Sequence, residues 1–429
     1  MALREMSAAL LGRLAGARRQ PLAPPRPGGG MRVLLVSYEY PPLGGGGAKV
    51  VRGLATELVR TGHEVDVITT GWGRLPAESQ DDGVRVTRLR TLRKRADRST
   101  VLELGVWALR ALPVVLRRLA SERYHAINAH FILPDGLVCA LAGTLLGKRF
   151  VVTAHGSDVP GYNTDRFQLA HRLLGRVWRR LVRVPDCIVF PSEHLMEIAR
   201  RQDTPFKACV IPNGFNVRPR PARPAGARPH IVVATRLFPR KGVQHLIEAH
   251  GRLDEEVELH VIGDGPYRDP LEKLARQTGR PVVFHGWLEN LSEPFNELMS
   301  TSGVFALPSE AENFPVCLLE AMAFELPIVT SSGTGCEAVV GDAGLLVPPG
   351  DVDALTEALR RLVRSPALRA ELGQAGRQRL EDNFSWPAVA RRYAALYAAH
   401  PASPPAAAPS IPPLPSRRRA SHGVMPFRS

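Results

Sequence analysis

Residues Met31–Thr70 read MRVLLVSYEYPPLGGGGAKVVRGLATELVRTGHEVDVITT, and this stretch contains one complete structural unit. Its continuous apolar run RVLLV is typical of a parallel strand that is buried on both faces. A glycine-rich loop, Gly44–Gly47, comes next, followed by an amphipathic helix pattern and a second strand pattern, HEVDVITT. Strand, helix and strand within about forty residues predict a βαβ unit.

The alternation of strand and helix patterns continues in two blocks. In residues 31–215 the further strand-like runs are HAINAHF, RFVVTAHG, DCIVFPS and ACVIPNG. Residues 216–230 are rich in Pro and Arg, which is typical of a linker. The alternation then restarts within residues 231–382, in HIVVATRL, VELHVIGDG, PVVFHGW, VFALPS, LPIVTSS and AGLLVPPGD. We therefore predict an α/β protein with two Rossmann-like parallel-sheet domains that face each other across a cleft, joined by a hinge.

The two blocks differ in charge. The chain of 429 residues has a net charge of +15. Residues 31–215 hold 27 basic and 17 acidic side chains, whereas residues 216–400 are slightly acidic. This asymmetry predicts that the first domain meets an anionic surface or ligand. Nucleic acid is a poor candidate, because aromatic side chains are few and no nucleic-acid-binding motif is present.

Both ends of the chain differ in composition from the two blocks. Residues 1–30 and 401–429 are rich in Pro, Ala and Arg and lack a periodic apolar face. We predict that they are disordered extensions. The five cysteines are scattered and form no metal-ligand pair in the sequence, so we expect buried thiols, no disulfides and no metal site.

Polar residues follow the predicted strands of the first domain. Gly44–Gly47 could bring backbone N–H groups close to a phosphate, or could form a tight turn. The loop is not a dinucleotide-binding fingerprint, and no acid ends the second strand, so a nicotinamide-dependent enzyme is disfavoured. In TAHGSD, His155 and Asp158 lie just past a strand, where the cleft is predicted.

The second domain has its candidate residues after three strands. In ATRLFPRKG, Arg236 and Lys241 flank a turn before a helix, so both cations can converge on a diphosphate. In VIGDGP, Gly263 allows a close approach by a nucleoside or forms a plain turn. In LPSEAENFPVCLLEAMAFELPIV, Glu312 precedes a helix and Glu320 lies inside it. Two acids can bind hydroxyls while cations bind phosphate, which indicates a nucleotide-sugar site.

Taken together, these motifs resemble those of the retaining glycosyltransferases of family four, the glycosyl transferases group 1 with the GT-B fold. The resemblance covers about residues 31–398. It rests on eight elements in order: the Tyr38–Thr69 stretch, HFILPDGL, VVTAHGSDV, VIPNGF, ATRLFPRKG, VIGDGP, the two-glutamate segment and GLLVPPGD. NFSWPAVARRYAALY is similar to the terminal helix of the family, and implies that residues 383–400 cross back onto the first domain.

The resemblance implies a role for each matching residue. Arg236 and Lys241 would hold the donor diphosphate, Glu320 the ribose and Glu312 the donor sugar, with His155 beside the sugar at the reaction centre. The remaining expected donor-site residues are Gly263, Asn313, Phe314, Pro315, Val316 and Leu319. The acceptor side of the cleft is expected to include Gly45, Gly46, Gly47 and Asp158.

The implied activity is transfer of a sugar, with retention of configuration, from a UDP- or GDP-linked donor to a glycan or lipid-linked acceptor. The implied setting is synthesis of exopolysaccharide, cell envelope or glycolipid in a bacterium. No cofactor is expected, and the lack of a D-x-D motif argues against an essential divalent ion. Asn313 and Glu325 stand where the family usually has glycine. These two departures leave open a non-catalytic nucleotide-sugar-binding relative. A sugar-nucleotide epimerase of the same fold, which would need no acceptor, is the other alternative.

The basic residues of the first domain indicate where the protein works. Arginines 166, 172, 176, 179, 180 and 183 crowd one predicted helix together with Trp178, and Arg88–Arg98 form a second basic set in a predicted loop. A basic amphipathic surface can dock on anionic lipid headgroups. We therefore expect a cytoplasmic protein that is peripheral on the inner face of the cell membrane.

Overall fold

The computed structural model describes residues 30–96, 99–162, 168–217, 230–290, 292–312 and 314–399, with only the backbone described for 168–173. The predictions for 1–29, for most of the hinge, for Arg166 and Asn313, and for the 401–429 tail lie outside the described residues. The described chain folds into two α/β units, each built on its own sheet.

The first sheet has eight strands in the order β3-β4-β2-β1-β5-β6-β7-β8. All neighbours pair in parallel except β3 and β4, which are antiparallel. The strands are β1 Arg32–Val36, β2 Glu64–Gly71, β3 Glu78–Asp81, β4 Val84–Arg90, β5 Ala126–His130, β6 Val151–Thr153, β7 Cys187–Phe190 and β8 Ala208–Val210.

The second sheet has six strands, all parallel, in the order β11-β10-β9-β12-β13-β14. The strands are β9 Ile231–Ala234, β10 Leu259–Ile262, β11 Val282–Gly286, β12 Val304–Leu307, β13 Ile328–Ser331 and β14 Gly344–Val347. Nearly every residue of the central strands is buried, as expected for a sheet covered by helices on both faces.

Helices connect the strands in both units. In the first unit they are α1 Gly46–Arg60, α2 Val101–Ser121, α3 Leu137–Leu146, α4 Gln168–Leu181 and α5 Glu193–Arg200. In the second they are α6 Val243–Gly251, α7 Arg268–Thr278, α8 Glu293–Thr301, α9 Val316–Ala323, α10 Gly335–Val340, α11 Val352–Arg364 and α12 Pro366–Arg379. The final described helix is α13, Trp386–Ala398. The two-sheet architecture that the sequence predicted is therefore confirmed.

Helix α13 lies against the first unit although it follows the second in sequence. The indole of Trp386 fills the space above two glycines, and a Cβ atom built on Gly53 or Gly214 would come within 2.0 or 2.2 Å of it. The Tyr393 and Tyr397 hydroxyls lie 3.2 Å from Thr153 Oγ1 and 2.8 Å from Asn128 Nδ2. These contacts tie the end of the described chain to strands β5 and β6.

The antiparallel β3–β4 hairpin was not predicted. Its turn is Asp82–Gly83, with both residues at positive φ, as a type I′ hairpin turn requires. The strand ESQD carries no apolar alternation, which is why the period-two pattern did not show it. Arg88 and Arg90, predicted in a loop, lie in β4.

Candidate active site

The loops that follow β9 and β12 leave the second sheet side by side. Because β9 lies between β10 and β12, its carboxyl end is a topological switch point, where open α/β sheets bind ligands. The loop after β9 closes in a short 3₁₀ turn, Pro239–Lys241. Two groups of the β12 loop bond to it, since Ser309 Oγ and Glu310 N donate to the Arg240 carbonyl at 3.1 and 2.9 Å. The two loops therefore form one edge of the cleft.

Lys241 and Glu312 meet at this edge. The Lys241 ammonium donates to Glu312 Oε1 in a largely enclosed ion pair. The Glu312 backbone carbonyl accepts the N–H of Gly335 at 2.8 Å, which fixes the glutamate loop to the start of α10. Arg236 is exposed, and its guanidinium lies 5.0 Å above the Phe238 ring. The cations predicted to bind diphosphate thus emerge from the same loop, one of them beside a predicted sugar ligand.

Glu320 lies on α9, with its side chain mostly buried and its Oε1 accepting a hydrogen bond from Asn290. Asn290 follows β11, and sequence reasoning missed it because a single Asn in HGWLEN carries no recognisable spacing. The thiol of Cys317 lies near both Glu312 and Glu320. Burial, together with these carboxylates, raises the pKa of Cys317 well above its usual range. The two glutamates therefore flank one neutral thiol at the first turn of α9.

The start of α9 differs from the prediction by one residue. Pro315 was expected at the first helical position, but it is the N-cap residue and α9 begins at Val316. Val316 is half exposed, while the Phe314 ring packs edge-on against Phe384 at 5.6 Å. Leu319 is fully buried in the hydrophobic core. Its side chain therefore packs inside the second unit, and its place in the donor site stays a prediction.

Gly263 allows the loop after β10 to pack closely against the loop after β9. A Cβ atom at Gly263 would come within 1.8 Å of the Thr235 carbonyl oxygen, and one at Gly265 within 2.3 Å of the Leu237 carbonyl oxygen. Gly263 also has a φ of +131°. The glycines of VIGDGP thus let the β10 loop pack against the loop that carries Arg236. Close approach by a nucleoside is not needed to explain them.

In the first unit, Asp158 organises the loop after β6. One carboxylate oxygen accepts the N–H groups of His155 and Gly156 at 3.0 and 2.9 Å, and the other accepts the N–H of Ile132 at 2.7 Å. Asp158 is buried, and burial raises the pKa of its carboxyl. Asp158 therefore holds the shape of this loop, and its place on the acceptor side stays a prediction.

His155 lies in an aromatic cluster at the ends of β5 and β6. Its Nε2 lies 3.1 Å from Nδ1 of the fully buried His130, and its ring centre lies 4.4 Å from that of Phe131. Burial lowers the pKa of His155 to about 3, so the imidazole is neutral at physiological pH. His130 was missed by sequence reasoning, because HAINAHF reads as an ordinary buried strand.

The glycine-rich stretch forms a turn around a carboxylate. Gly45 N–H donates to Glu39 Oε2 at 3.3 Å, and a Cβ atom at Gly44 would come within 2.5 Å of that carboxylate. Gly46 and Gly47 are the first residues of α1 rather than part of a loop. Gly47 lies under the Phe131 ring, at 2.6 Å from a built Cβ atom, whereas Gly45 and Gly46 face open space. Of the two interpretations of this stretch, the geometry favours the tight turn.

Tyr162 belongs to the first unit and lies close enough to charged groups of the second unit for them to affect its pKa. Its ring packs on Gly156, at 2.8 Å from a built Cβ atom. Burial and the negative charge of Glu312 raise the pKa of Tyr162 to about 12, while Arg240 acts in the opposite direction. The His155 loop of the first unit therefore faces the Glu312 loop of the second.

The basic helix α4 exposes arginines but not its tryptophan. Trp178 is buried, and its Nε1 donates to the Asp158 carbonyl at 3.0 Å, so its predicted place on a docking surface is wrong. The exposed side chains at its end and just beyond are Leu174, Arg176, Val177, Arg179, Arg180, Arg183 and Val184. Arg93, from the second basic set, is also buried and donates to the Arg95 and Ala96 carbonyls. No helix in the described ranges is both long enough and apolar enough to cross a bilayer.

Two parallel-sheet units in one chain, with cations and carboxylates at the strand ends between them, define the GT-B class of glycosyltransferase folds. Solved structures share this architecture. The chain superposes on sucrose-phosphate synthase from Thermosynechococcus elongatus with a TM-score of 0.69, at 24% sequence identity, over 86% of this chain and 98% of the other.

The family follows from the sequence comparisons. The family model described as Glycosyltransferase Family 4 matches residues 44–219, and the one described as Glycosyl transferases group 1 matches residues 219–379. The chain belongs to glycosyltransferase family four, and it is a glycosyltransferase.

Two curated relatives are similar over nearly their whole length. The MMP alpha-(1->4)-mannosyltransferase of Mycolicibacterium hassiacum is 29% identical over 86% of this chain and 98% of its own. The GDP-mannose-dependent alpha-(1-6)-phosphatidylinositol monomannoside mannosyltransferase of Mycolicibacterium smegmatis is 29% identical over 85% of this chain and 97% of its own.

Proposed function

We propose that this protein transfers a hexosyl group, with retention of configuration, from a nucleoside-diphosphate sugar to a glycan or lipid-linked acceptor. The observation that carries the proposal is the shared edge of the second domain, where Lys241 contacts Glu312, Arg236 emerges from the same loop as Lys241, and Glu320 follows on α9. Cations for a diphosphate and carboxylates for hydroxyls thus lie side by side.

The charges account for the reaction. Breaking the bond between sugar and phosphate puts negative charge on the leaving diphosphate and positive charge on the anomeric carbon. Arg236, Lys241 and the first N–H groups of α9 are fixed donors beside this leaving group, and one such donor is typically worth about 3–4 kcal/mol in the transition state. Glu312 binds the donor sugar and Glu320 the ribose.

The first domain supplies the acceptor side. His155 is neutral, so it contacts the sugar as a hydrogen-bonding group without adding positive charge beside the anomeric carbon. The leaving diphosphate oxygen then takes the proton of the acceptor hydroxyl, which attacks from the same face. Tyr162 and the open space beside Gly45 and Gly46, at the start of α1, would border the acceptor.

GDP-mannose is the first donor to test, since both relatives named above are mannosyltransferases and one is named for GDP-mannose. UDP-linked hexoses form the second group of donors. The assay measures release of GDP or UDP by the purified protein, with and without a lipid extract. Release that needs no acceptor, with conversion of the donor sugar, would instead indicate an epimerase.

Variants test the site itself. Lys241→Ala and Glu320→Ala should lose donor turnover while remaining folded by circular dichroism. Lys273→Ala, which removes an exposed lysine on α7, is the matched control and should keep the parent rate. Turnover by Lys241→Ala at the parent rate would contradict the diphosphate assignment.

We further propose that the exposed arginines of α4 bring the protein to an anionic membrane surface. Each charge near such a surface contributes about 1 kcal/mol. Replacing Arg176 and Arg180 by Gln should weaken sedimentation with phosphatidylglycerol vesicles. The same change at the exposed Arg276 and Arg361 of the second domain should not. Equal binding by both double variants would contradict this surface.

A further inference from the structure

A group of histidines and one glutamate lies at the opposite end of the second sheet from the donor site. His230, Glu258 and His260 place one ligand atom each within 4.8 Å of one another. His230 comes immediately before β9, whereas Arg236 comes after it. A strand of four residues, about 13 Å long, therefore separates this group from the site of transfer.

The strand register brings these residues together. Leu259 pairs with Ile231, and the Ile231 N–H donates to the Glu258 carbonyl at 2.9 Å, so residues 230 and 258 are neighbours across β9 and β10. Side chains two residues apart point to the same face of a sheet, which places Glu258 and His260 together. The His230 carbonyl accepts the N–H groups of Gly303 and Val304, which holds His230 at the start of β9.

A fourth residue orients the central histidine. His260 Nε2 lies 3.1 Å from Glu258 Oε2, and His260 Nδ1 lies 2.9 Å from His285 Nε2 on β11. The two imidazoles stack, with ring centres 5.2 Å apart. If Nδ1 carries the proton and donates it to His285, the Nε2 lone pair points toward the carboxylate. A cation placed between these two atoms would remove their repulsion.

We propose that His230, Glu258 and His260 bind a zinc ion, and that His285 is the hydrogen-bond partner that orients His260. Two imidazoles and a carboxylate are a ligand set that zinc takes in proteins, at bond lengths of about 2.0–2.2 Å. Such bonds place two tetrahedral ligands about 3.4 Å apart, close to the observed separation of His260 and Glu258. A side-chain rotation of His230 closes the wider separations.

The chemistry of the surroundings fits this role. Ligating histidines commonly donate their second N–H to an acceptor, as His260 would to His285. The ion ties His230, which ends the Pro/Arg-rich hinge sequence, to strand β10 of the second sheet. It therefore acts on stability, and the transfer reaction does not involve it.

The test uses the full chain, treated with EDTA and then titrated with Zn²⁺ in equilibrium dialysis at neutral pH. We expect one zinc per chain and a higher melting temperature with zinc. Glu258→Gln should weaken binding at least tenfold, and this variant should fold because the Glu258 side chain is mostly exposed. Glu256→Gln, with the same loss of charge two residues away, should bind as the parent does. His285→Ala should weaken binding by about 10- to 100-fold.

A cobalt spectrum separates this site from a competing one. Cys187 and Cys209 place their sulfur atoms 3.2 Å apart, so a thiol site could also take zinc. Co²⁺ at the histidine site should give visible d–d bands without the near-ultraviolet bands of cobalt–thiolate bonds. Zinc binding that is unchanged in Glu258→Gln, thiolate bands, or no binding at all would overturn the proposal. If no zinc binds, the group is a chain of hydrogen bonds in which His285 donates to His260 and His260 donates to Glu258.

Discussion

Glu320 owes its position to a neighbour from another loop. Its carboxylate is mostly buried on α9 and accepts a hydrogen bond from Asn290, which follows β11. To bind a ribose, Glu320 would have to hold its second carboxylate oxygen, Oε2, in a fixed direction, and the hydrogen bond from Asn290 to Oε1 restricts that direction. If Glu320 binds the ribose as proposed, Asn290 is a positioning residue, through which the β11 loop contributes to the donor site.

Asn290→Ala should raise KM for the donor more than it lowers kcat, since it acts on binding of the ribose. A hydrogen bond to a charged group contributes about 1.5–3 kcal/mol, so kcat/KM should fall about tenfold or more. Asn290→Asp places a second negative charge against Glu320 and should be worse than the alanine variant. Steady-state kinetics on both variants test this, and an unchanged KM in both would contradict the assignment.

Glu325 adopts the backbone conformation of a glycine. Its φ is +54°, which costs a non-glycine residue about 1–2 kcal/mol. Its carbonyl oxygen lies 2.1 Å from a Cβ atom built on Gly373, so α12 approaches it closely. Glu325, where the family usually has glycine, therefore has a strained backbone. It makes no described contact with Lys241, Glu312 or Glu320.

Glu325→Gly should therefore be more stable than Glu325→Ala by about 1 kcal/mol. Both variants lose the same side-chain contacts, but only glycine relieves the backbone strain. Against this gain, the greater freedom of glycine in the unfolded chain lowers the stability of the Gly variant by about 0.4–1 kcal/mol. Urea unfolding of the two variants measures the difference. Equal stability, or a more stable alanine variant, would show that φ is not strained at this position.

Sequence reasoning predicted the site residues that belong to a motif. It missed the single polar residues that contact those motif residues. Lys241, Glu312 and Glu320 stand at recognisable spacings beside strand ends, and the structure brings Lys241 and Glu312 into contact. Asn290 and His130 are single polar residues in ordinary runs, and only the pairing of strands distant in sequence places them. The zinc ligands were missed for the same reason, because 28 positions separate His230 from Glu258.

At the scale of secondary structure, strands buried on both faces were the elements that the sequence predicted. Twelve strand patterns were proposed, and each contains a strand of the structure. The strand β3 was missed because the polar sequence ESQD has no buried face, and β4 was missed although its Val84 and Val86 alternate with exposed or half-buried residues. The packing of α13 depends on two glycines, Gly53 and Gly214, that lie far apart in sequence and that no local pattern links to Trp386.

Gly53→Ala tests how tightly α13 packs. Alanine normally stabilises a helix by about 0.5–1 kcal/mol relative to glycine, but here its Cβ atom would come within 2.0 Å of the Trp386 ring. Overpacking of this kind costs about 1–3 kcal/mol, so the variant should be less stable than the parent and should exchange amide hydrogens faster in α13. Gly105→Ala, in an exposed part of α2 with open space around it, should be slightly stabilised. A stabilised Gly53→Ala would contradict the packing of Trp386.

At the scale of the whole molecule, the two units differ in charge. The basic unit carries His155 and the exposed arginines of α4, whereas the slightly acidic unit places Lys241 at one sheet edge beside Glu312. The sequence predicted this division from composition, because charge is a sum over residues. It could not predict which loops of the two units face each other, which here are those of Tyr162 and Glu312.

The most direct test of the donor site is a crystal structure of the protein with an intact nucleoside-diphosphate hexose that it turns over. We expect the diphosphate between Arg236, Lys241 and the start of α9, the ribose hydroxyls on Glu320, and the hexose between Glu312 and His155. A donor bound outside the space between the two sheets, or bound there with its diphosphate away from the Arg236–Lys241 turn, would contradict the account.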